Sequence, residues 1–215
     1  MAPRKRRPTR VSEEAQKEFI RHVKNLHRRR YDRSPMWRGV KVIKSPLDIA
    51  LYSSVIYEKR PKFIIETGTK FGGSALFFGD MLQLFGGHRV FTIDINGSQN
   101  FTSHPHVEYI QGSSVDPDLF RELRGDLFGK GDVMVVLDSD HSKDHVFREL
   151  QLYSQIVTPN QYMVVEDCWG SGEKPRDPYR AVEEFLKHSK AFERRPVDKN
   201  FIFSVTRDGW LLRER

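Results

Sequence analysis

From Pro61 onwards, short apolar runs alternate with longer segments in which apolar residues recur at helical spacing. The run at 133–137 is apolar at every position, which is typical of a strand buried on both faces of a parallel sheet. Strands are predicted at Phe63–Thr67, Val90–Asp94, Val107–Gln111, Val133–Asp138, Tyr162–Glu166 and Phe201–Val205. Helices are predicted at Ser74–Phe85, Pro117–Leu123, Lys143–Ile156 and Tyr179–His188. This alternation predicts right-handed crossovers and a doubly wound α/β fold.

Two further helices are predicted before the first of these strands. One begins at Ser12, where a capping hydroxyl precedes two acids, and it ends in three consecutive arginines. The other begins after Ser45, with Pro46 in its first position, and runs to about Lys59. It is expected to bury Leu47, Leu51, Val55 and Ile56. We therefore divide the chain into a basic tail at 1–11, N-terminal helices and a cap segment at 12–60, and a main domain at 61–215.

Composition indicates an ordered chain of one domain with an extension. Its 215 residues include 38% hydrophobic ones, which is too apolar for global disorder and enough for a sizeable core. The lone Cys168 excludes an intrachain disulfide and a cysteine-based zinc site. No apolar run approaches the roughly 20 residues that span a bilayer, and the start lacks the apolar stretch of a signal peptide. We therefore expect a soluble, cytoplasmic protein without a membrane span.

The net charge of +7 is concentrated in the first ten residues, which hold five arginines and lysines and no acid. Without them, 31 cations face 29 acids, so the body of the chain is nearly neutral. Such a tail could bind nucleic acid or another anionic partner. The alternative is a solvated, disordered leader without a role in function.

Polar residues end five of the predicted strands, and ligands bind beyond these ends in an open parallel sheet. The strand ends are Glu66-Thr67-Gly68, Asp94, Gly112-Ser113-Ser114, Asp138-Ser139-Asp140-His141 and Glu166-Asp167. The glycine-rich turn after Glu66 matches neither the dinucleotide fingerprint nor a phosphate-binding loop. Asp94 can accept hydrogen bonds from ribose hydroxyls. Together Glu66, Gly68 and Asp94 indicate a nucleoside ligand without a diphosphate, and S-adenosylmethionine fits that description.

Three carboxylates are predicted to converge, because one helix and one strand separate Asp138 from Glu166 and Asp167. Converging acids repel one another unless a cation lies among them. Hard oxygen ligands in an open site favour Mg²⁺, or else Mn²⁺ or Ca²⁺. The alternative is that Asp138 caps a helix while the other two acids lie in a solvated loop.

Two residues compete as the general base beside this site. His141 follows Asp138 by three residues, and an imidazole is a suitable proton acceptor near neutral pH. Lys143 is the competitor, although a lysine must first lose its own proton. The sequence by itself leaves this choice open.

Three segments form a recognisable combination: Ile64–Gly68 with Gly72-Gly73-Ser74, Leu137–Ser142 with His145-Val146, and Val164–Asp167. Over roughly residues 35 to 215 the chain resembles the cephalosporin hydroxylase/rhamnosyl O-methyltransferase family of class I S-adenosylmethionine-dependent methyltransferases. The resemblance implies a Rossmann-like, mostly parallel sheet of seven strands whose last pair is antiparallel. It implies cofactor contacts at Glu66, Gly68, Ser74, Asp94, Ser113, Ser114 and Asp138. It also implies metal ligands at Asp138, Glu166 and Asp167, with His141 as the base.

We therefore predict a metal-dependent O-methyltransferase that acts on a hydroxyl of a small molecule such as a sugar, an antibiotic or a diol. The substrate hydroxyl would attack the sulfonium methyl group in line, with Mg²⁺ binding that hydroxyl and His141 accepting its proton. Trp37, Trp169 and the loop at 170–172 are candidates for a cover over the site, and ordinary packing of the two aromatic side chains is the alternative. The chain could also form a homo-oligomer.

Three alternative functions remain at this stage. One is a catalytically weak S-adenosylmethionine-binding module that docks on an anionic partner through its basic tail. A nicotinamide dehydrogenase is disfavoured because the Gly-x-Gly-x-x-Gly fingerprint is absent. A nucleic-acid methyltransferase is disfavoured because no Asn-Pro-Pro-aromatic motif follows the fourth strand.

Overall fold

The structure, a computed structural model, describes residues 35–97, 101–168, 175–195, 197, 204, 206 and 208–215, together with Glu14, Glu18 and Arg21. Those three N-terminal residues are helical, in agreement with the helix predicted from Ser12. The rest of that helix, the basic tail, the segment 169–174 and most of the strand predicted at 201–205 lie outside the described residues.

Helices and strands alternate along the chain as predicted. The order is β1 (Met36–Trp37), β2 (Val40–Lys41), α1 (Pro46–Lys59), β3 (Phe63–Thr67), α2 (Gly73–Phe85), β4 (Arg89–Asp94), β5 (Val107–Gln111), α3 (Pro117–Leu127), β6 (Val133–Leu137), α4 (Lys143–Tyr153), β7 (Tyr162–Val165), α5 (Asp177–His188), β8 (Phe192–Arg194) and β9 (Trp210–Arg213). β1 and β2 form a separate antiparallel hairpin.

Within the described residues, the main sheet has seven strands in the order β5-β4-β3-β6-β7-β9-β8. The first five are parallel, and β9 runs antiparallel to both β7 and β8. This is the Rossmann-like sheet of a class I methyltransferase, so the predicted fold class is confirmed. Periodicity missed β8 and β9, which are only three and four residues long. In β9 the run Trp210-Leu211-Leu212 was the available signal.

Both faces of the sheet are covered by helices, which explains the continuously apolar strands. Successive residues of a strand alternate between the faces, so Ile64 packs in one core layer and Ile65 in the other. Leu51 of α1 and Phe77 of α2 lie in the first layer. The second layer includes Phe120 of α3, Leu150 of α4 and Phe185 of α5. No helix in the described part of the chain has the length and apolarity needed to cross a lipid bilayer.

Several predicted boundaries need correction. Helix α2 begins at Gly73 and is preceded by Gly72 in the left-handed conformation, so Ser74 does not open it. Helix α1 has the predicted ends, with the Ser45 hydroxyl accepting the first-turn N–H of Leu47 at 3.3 Å. Leu47 itself is only half-buried. α3 continues four residues further than predicted, α4 ends three residues earlier and α5 begins two residues earlier.

Gly68 allows the ends of β3 and β6 to meet. Its φ of +86° lies in the left-handed region, and a Cβ there would be 2.1 Å from the carbonyl oxygen of Asp138. The Asp138 N–H also donates to the Thr67 carbonyl at 3.1 Å. A side chain at position 68 would therefore push the Asp138 backbone away from the neighbouring strand.

We predict that Gly68→Ala destabilises the fold more than Gly86→Ala does. Gly86 also has a positive φ, of +77°, but a Cβ there would meet nothing within 4 Å. Gly86→Ala should therefore cost only the left-handed penalty, about 1–2 kcal/mol. Gly68→Ala adds a steric clash worth about 1–3 kcal/mol more. Urea unfolding of the two variants measures the difference, and equal losses would contradict the close approach.

The β1–β2 hairpin is anchored to α2 through Asp80. Trp37 Nε1 donates to Asp80 Oδ2 at 2.8 Å, while Arg38 Nη1 and His104 Nε2 lie 3.4 and 3.0 Å from Oδ1. The Trp37 ring also packs edge-on against Phe77, at 5.0 Å between centroids. Trp37 therefore packs on α2 and does not line the cleft described below, which corrects its proposed role as a cover.

We predict that Asp80→Ala lowers the free energy of unfolding by about 1–2 kcal/mol at neutral pH, because charge-assisted hydrogen bonds are lost. Burial acts to raise the pKa of Asp80, but the Trp37 and His104 hydrogen bonds and the Arg38 charge hold it below its ordinary 3.8. The carboxylate therefore stabilises the folded state above pH 3.8, and this contribution is lost as the pH falls below that value.

Urea unfolding of wild type and Asp80→Ala at neutral and at acidic pH tests this expectation. Asp126→Ala, an exposed position on α3, is the matched control and should change little. A wild-type-to-variant difference that persists undiminished in acid would contradict the role of the Asp80 charge.

Candidate active site

The carboxyl ends of β3, β4, β5 and β6 surround a cleft of about 490 Å³. Its walls are formed by Gly68, Lys70, Ile93, Asp94, Ile95, Asn96, Gly112, Ser113, Ser114, Asp138, Ser139, Asp140 and His145. Five of the seven predicted cofactor residues are among them: Gly68, Asp94, Ser113, Ser114 and Asp138. The cleft lies where an open parallel sheet binds its ligand.

Asp94 organises one wall of the cleft. Its Oδ2 accepts the backbone N–H of Lys70 at 3.0 Å, and its Oδ1 accepts that of Asn96 at 2.9 Å. The carboxylate thus holds the turns after β3 and β4 together. Each carboxylate oxygen has two lone pairs, so Asp94 can still accept hydrogen bonds from a pair of ligand hydroxyls.

A side-chain network forms the other wall. His145 Nε2 lies 3.1 Å from the hydroxyls of both Ser114 and Ser139, and Ser139 also donates to Glu149 Oε1 at 2.7 Å. The hydrogen-bonding interaction with Glu149 raises the pKa of His145, while burial opposes it. Ser139, His145 and Glu149 were not predicted as site residues. The available signal was the spacing of four between His145 and Glu149, which places both on one face of α4.

Glu66 and Ser74 lie beneath the cleft and not in its wall. Glu66 is fully buried, and its Oε2 accepts a hydrogen bond from Thr92 at 2.8 Å. Burial raises the pKa of Glu66 to about 7. Glu66 does not line the cleft because side chains alternate along β3: it falls on the same face as Ile64 and points towards α2.

Asp138 and Glu166 meet at the same end of the sheet, as predicted. Val136 and Val164 pair across β6 and β7, and each acid lies two residues after one of them. Because side chains alternate between the faces of a sheet, both acids fall on the same face. Lys44 joins them, because its Nζ lies 2.8 Å from Asp138 Oδ2 and 2.8 Å from Glu166 Oε1. Sequence reasoning missed Lys44, which is distant in sequence from both acids and belongs to no motif that we recognised.

His141 links the third acid to this group. Its Nε2 lies 3.2 Å from Asp138 Oδ1, and its Nδ1 lies 3.3 Å from Asp167 Oδ2. Arg176, at the start of α5, contacts the other oxygen of Asp167 at 3.1 Å. Lys143 instead pairs with Glu184 of α5 at 2.5 Å. Of the two candidate bases, only His141 contacts the carboxylates in this structure.

The charged forms of Asp138, His141 and Lys44 stabilise one another, whereas burial disfavours the charged form of Glu166. Burial acts to raise the pKa of Asp138, but Lys44 and His141 hold it below its ordinary value. Burial acts to lower the pKa of His141, yet its hydrogen bond to Asp138 and the charge of Asp167 raise it. Burial likewise opposes the charge on Lys44, and the surrounding acids hold its pKa above the ordinary value. Burial raises the pKa of Glu166 to about 7.

The donor set suits a divalent cation in its chemistry. Asp138, Glu166 and Asp167 offer the hard oxygen atoms that Mg²⁺ prefers. In this conformation, however, Lys44 and His141 lie between them. No three His, Cys, Asp or Glu side chains in the described ranges are arranged to hold an ion. The residue types therefore fit a cation, but binding one would require Asp138 Oδ1 and Asp167 Oδ2, which now face His141, to turn towards it.

Comparison with known proteins agrees with this fold. The family described as Rhamnosyl O-methyltransferase/CmcI matches residues 29–214 of the chain. The Rhamnosyl O-methyltransferase of Mycobacterium leprae (strain TN) is 32% identical over 191 residues, which cover 83% of this chain and 82% of that protein.

Solved structures of CmcI share the fold. A CmcI apo-structure superposes with a TM-score of 0.66 at 20% identity, and a CmcI structure with Mg and SAM superposes with a TM-score of 0.63 at 19% identity. Each comparison covers 97% of this chain and 87% of the CmcI chain. The comparisons give no support to the alternative of a binding module that lacks activity. The chain therefore belongs to the Rhamnosyl O-methyltransferase/CmcI family and is an S-adenosylmethionine-dependent O-methyltransferase.

Proposed function

We propose that the chain methylates a sugar hydroxyl, with S-adenosylmethionine in the 490 Å³ cleft and a divalent cation at Asp138, Glu166 and Asp167. One observation carries this proposal: Asp138 belongs to both places. It lines the cleft and also contacts Lys44 and His141. A methyl donor in the cleft would thus lie beside the acids and beside a residue that can accept a proton.

The cleft suits the proposed cofactor. S-adenosylmethionine supplies an electrophilic methyl group on a sulfonium ion. Asp94 would accept hydrogen bonds from the ribose hydroxyls, and Gly68 would let the cofactor approach the backbone closely. Asp138 would place a negative charge near the sulfonium. The CmcI structure with Mg and SAM supports this assignment by analogy.

A divalent cation at the three acids supplies Lewis-acid chemistry, which polarises a hydroxyl oxygen and lowers its pKa. Asp138 Oδ1 and Asp167 Oδ2, the oxygens that now face His141, would hold the cation together with Glu166. Arg176 keeps Asp167 in place through its other oxygen, at 3.1 Å. This requires His141 to give up its contact with at least one of the two aspartates.

His141 is the proposed general base. Its side chain is 30% exposed, so one edge can face an acceptor entering from solvent. His141 would first release to solvent the proton that it shares with one of the two carboxylates, and the acceptor hydroxyl that replaces this contact would transfer its own proton to the freed ring nitrogen. The remaining aspartate would hold the ring in orientation and stabilise the imidazolium that forms. Lys143 is engaged with Glu184 and has no part in this step.

The proposed acceptor is a sugar hydroxyl with a neighbouring oxygen. The relative from Mycobacterium leprae is a Rhamnosyl O-methyltransferase, which supports a rhamnosyl acceptor. Vicinal sugar oxygens would also suit a site that combines a hard cation with a base. An antibiotic core or a catechol-like diol can also present two neighbouring oxygens to a cation, so such compounds are tested beside the sugars as alternative acceptors.

We predict that Asp94→Ala weakens binding of S-adenosylhomocysteine by about 10- to 100-fold, because charge-assisted hydrogen bonds of roughly 1.5–3 kcal/mol are lost. Isothermal titration calorimetry measures the dissociation constant directly. Asp126→Ala on α3, far from the strand ends, is the control and should bind as wild type does. Unchanged binding by Asp94→Ala would rule out this wall of the cleft as the ribose site.

We predict that His141→Gln lowers methyl transfer by about 10²- to 10⁴-fold, the usual contribution of a general base. Lys143→Gln should retain most of the activity, because Lys143 pairs with Glu184 away from the acids. The assay follows labelled methyl groups from S-adenosylmethionine onto a panel of rhamnosides and catechols, with and without a chelator. Calorimetry with S-adenosylhomocysteine confirms that both variants keep the cleft.

Two results would count against these assignments. A large loss in Lys143→Gln with an active His141→Gln would make the lysine the base. Full activity of the wild type in the presence of chelator would remove the divalent cation from the proposal.

A further inference from the structure

Lys44 is a buried cation that contacts two of the three proposed metal ligands, Asp138 and Glu166. Its side chain is only 2% exposed, and it lies immediately before Ser45, the cap of α1. A buried ammonium is strongly unfavourable unless it is paired and hydrogen-bonded. Here it contacts Asp138 Oδ2 and Glu166 Oε1, each at 2.8 Å. Because both contacts share the Lys44 Nζ atom, the distance between Asp138 Oδ2 and Glu166 Oε1 is at most twice the length of one contact.

These contacts give the acids an inner and an outer side. On the inner side, Lys44 binds both acids, and the hydroxyl of Tyr52 in α1 donates to Glu166 Oε1 at 2.6 Å. On the outer side, Asp138 Oδ1 and Asp167 Oδ2 face His141. Lys44 thus occupies one oxygen of each of two acids and leaves the other oxygen of each outside its own contacts.

The backbone fixes the lysine firmly in this place. A Cβ on Gly73 would lie 2.2 Å from the carbonyl oxygen of Lys41, so the segment before Lys44 packs directly on the start of α2. The Val42 N–H donates to the Pro35 carbonyl at 2.8 Å, and Asp80 anchors the preceding hairpin. The position of Lys44 is therefore set by its backbone as well as by the acids.

We propose that Lys44, assisted by Tyr52, is a positioning residue for the divalent cation: it holds one oxygen of Asp138 and one of Glu166, so that the second oxygen of each stays available to the ion. This inference rests on the proposed cation site. Partners that hold ligating carboxylates in orientation commonly contribute 10- to 100-fold to metal affinity. Lys44 is outside the cofactor cleft and does not contact the reacting groups, so its role is indirect.

The charge of Lys44 and its positioning role predict opposite effects on metal affinity when Lys44 is removed, so the positioning role can be tested. Removing a positive charge next to two carboxylates would by Coulomb's law strengthen the binding of another cation. Removing the group that holds the two carboxylates in orientation would weaken it. A fall in metal affinity on loss of Lys44 can therefore not come from its charge alone.

The experiment titrates the metal-free full chain with Mn²⁺ and follows free Mn²⁺ by electron paramagnetic resonance. Lys44→Met should bind Mn²⁺ about 10- to 100-fold more weakly than wild type. Tyr52→Phe, which removes one donor to Glu166, should weaken binding by a smaller factor. Lys62→Met is the matched control, because Lys62 contacts the Gly86 carbonyl at the opposite end of β3 and should leave Mn²⁺ binding unchanged.

Circular dichroism and the unfolding midpoint establish that each variant is folded. If Lys44→Met does not fold, Tyr52→Phe decides: weaker Mn²⁺ binding supports the proposal, and unchanged binding overturns it. A folded Lys44→Met that binds Mn²⁺ as tightly as wild type, or more tightly, overturns the positioning role alone. A wild-type chain that binds no Mn²⁺ overturns the proposed cation site and this inference with it.

Discussion

The ion pairs that join Lys44 to Asp138 and Glu166 are the interaction on which the site depends. One ammonium brings together the ends of two strands and the segment that precedes α1. Because all of these groups are largely buried, losing one partner would leave uncompensated charge in the interior. The site therefore exists as a unit only when residues 35–60, the described N-terminal segment, are packed against the sheet.

The N-terminal segment is accordingly part of the site and not an accessory to the domain. The hairpin β1–β2 is anchored by Asp80, and the following backbone packs against Gly73. Helix α1 then supplies Tyr52, whose hydroxyl reaches Glu166. These contacts cross the boundary at residue 60 that the sequence suggested between a cap segment and a methyltransferase domain.

The cleft and the acids are two halves of one arrangement that share Asp138. On one side, Asp94 and the network around His145 form walls suited to a nucleoside. On the other, His141 lies between two aspartates that a cation could bridge. Gly68 keeps these halves in contact, since any side chain there would displace the Asp138 backbone.

Hydrophobic periodicity by itself determined the five parallel strands, the helices between them and the rim at which polar residues collect, because burial on two faces leaves a direct imprint on the sequence. It also brought Asp138, Glu166 and Asp167 to one place, since the acids follow adjacent strands. Only the tertiary structure placed Lys44 between the acids, moved Glu66 beneath the cleft and turned Lys143 towards Glu184. Such contacts join residues far apart in the chain, and their partners are selected by packing and charge, which leave no periodic signal.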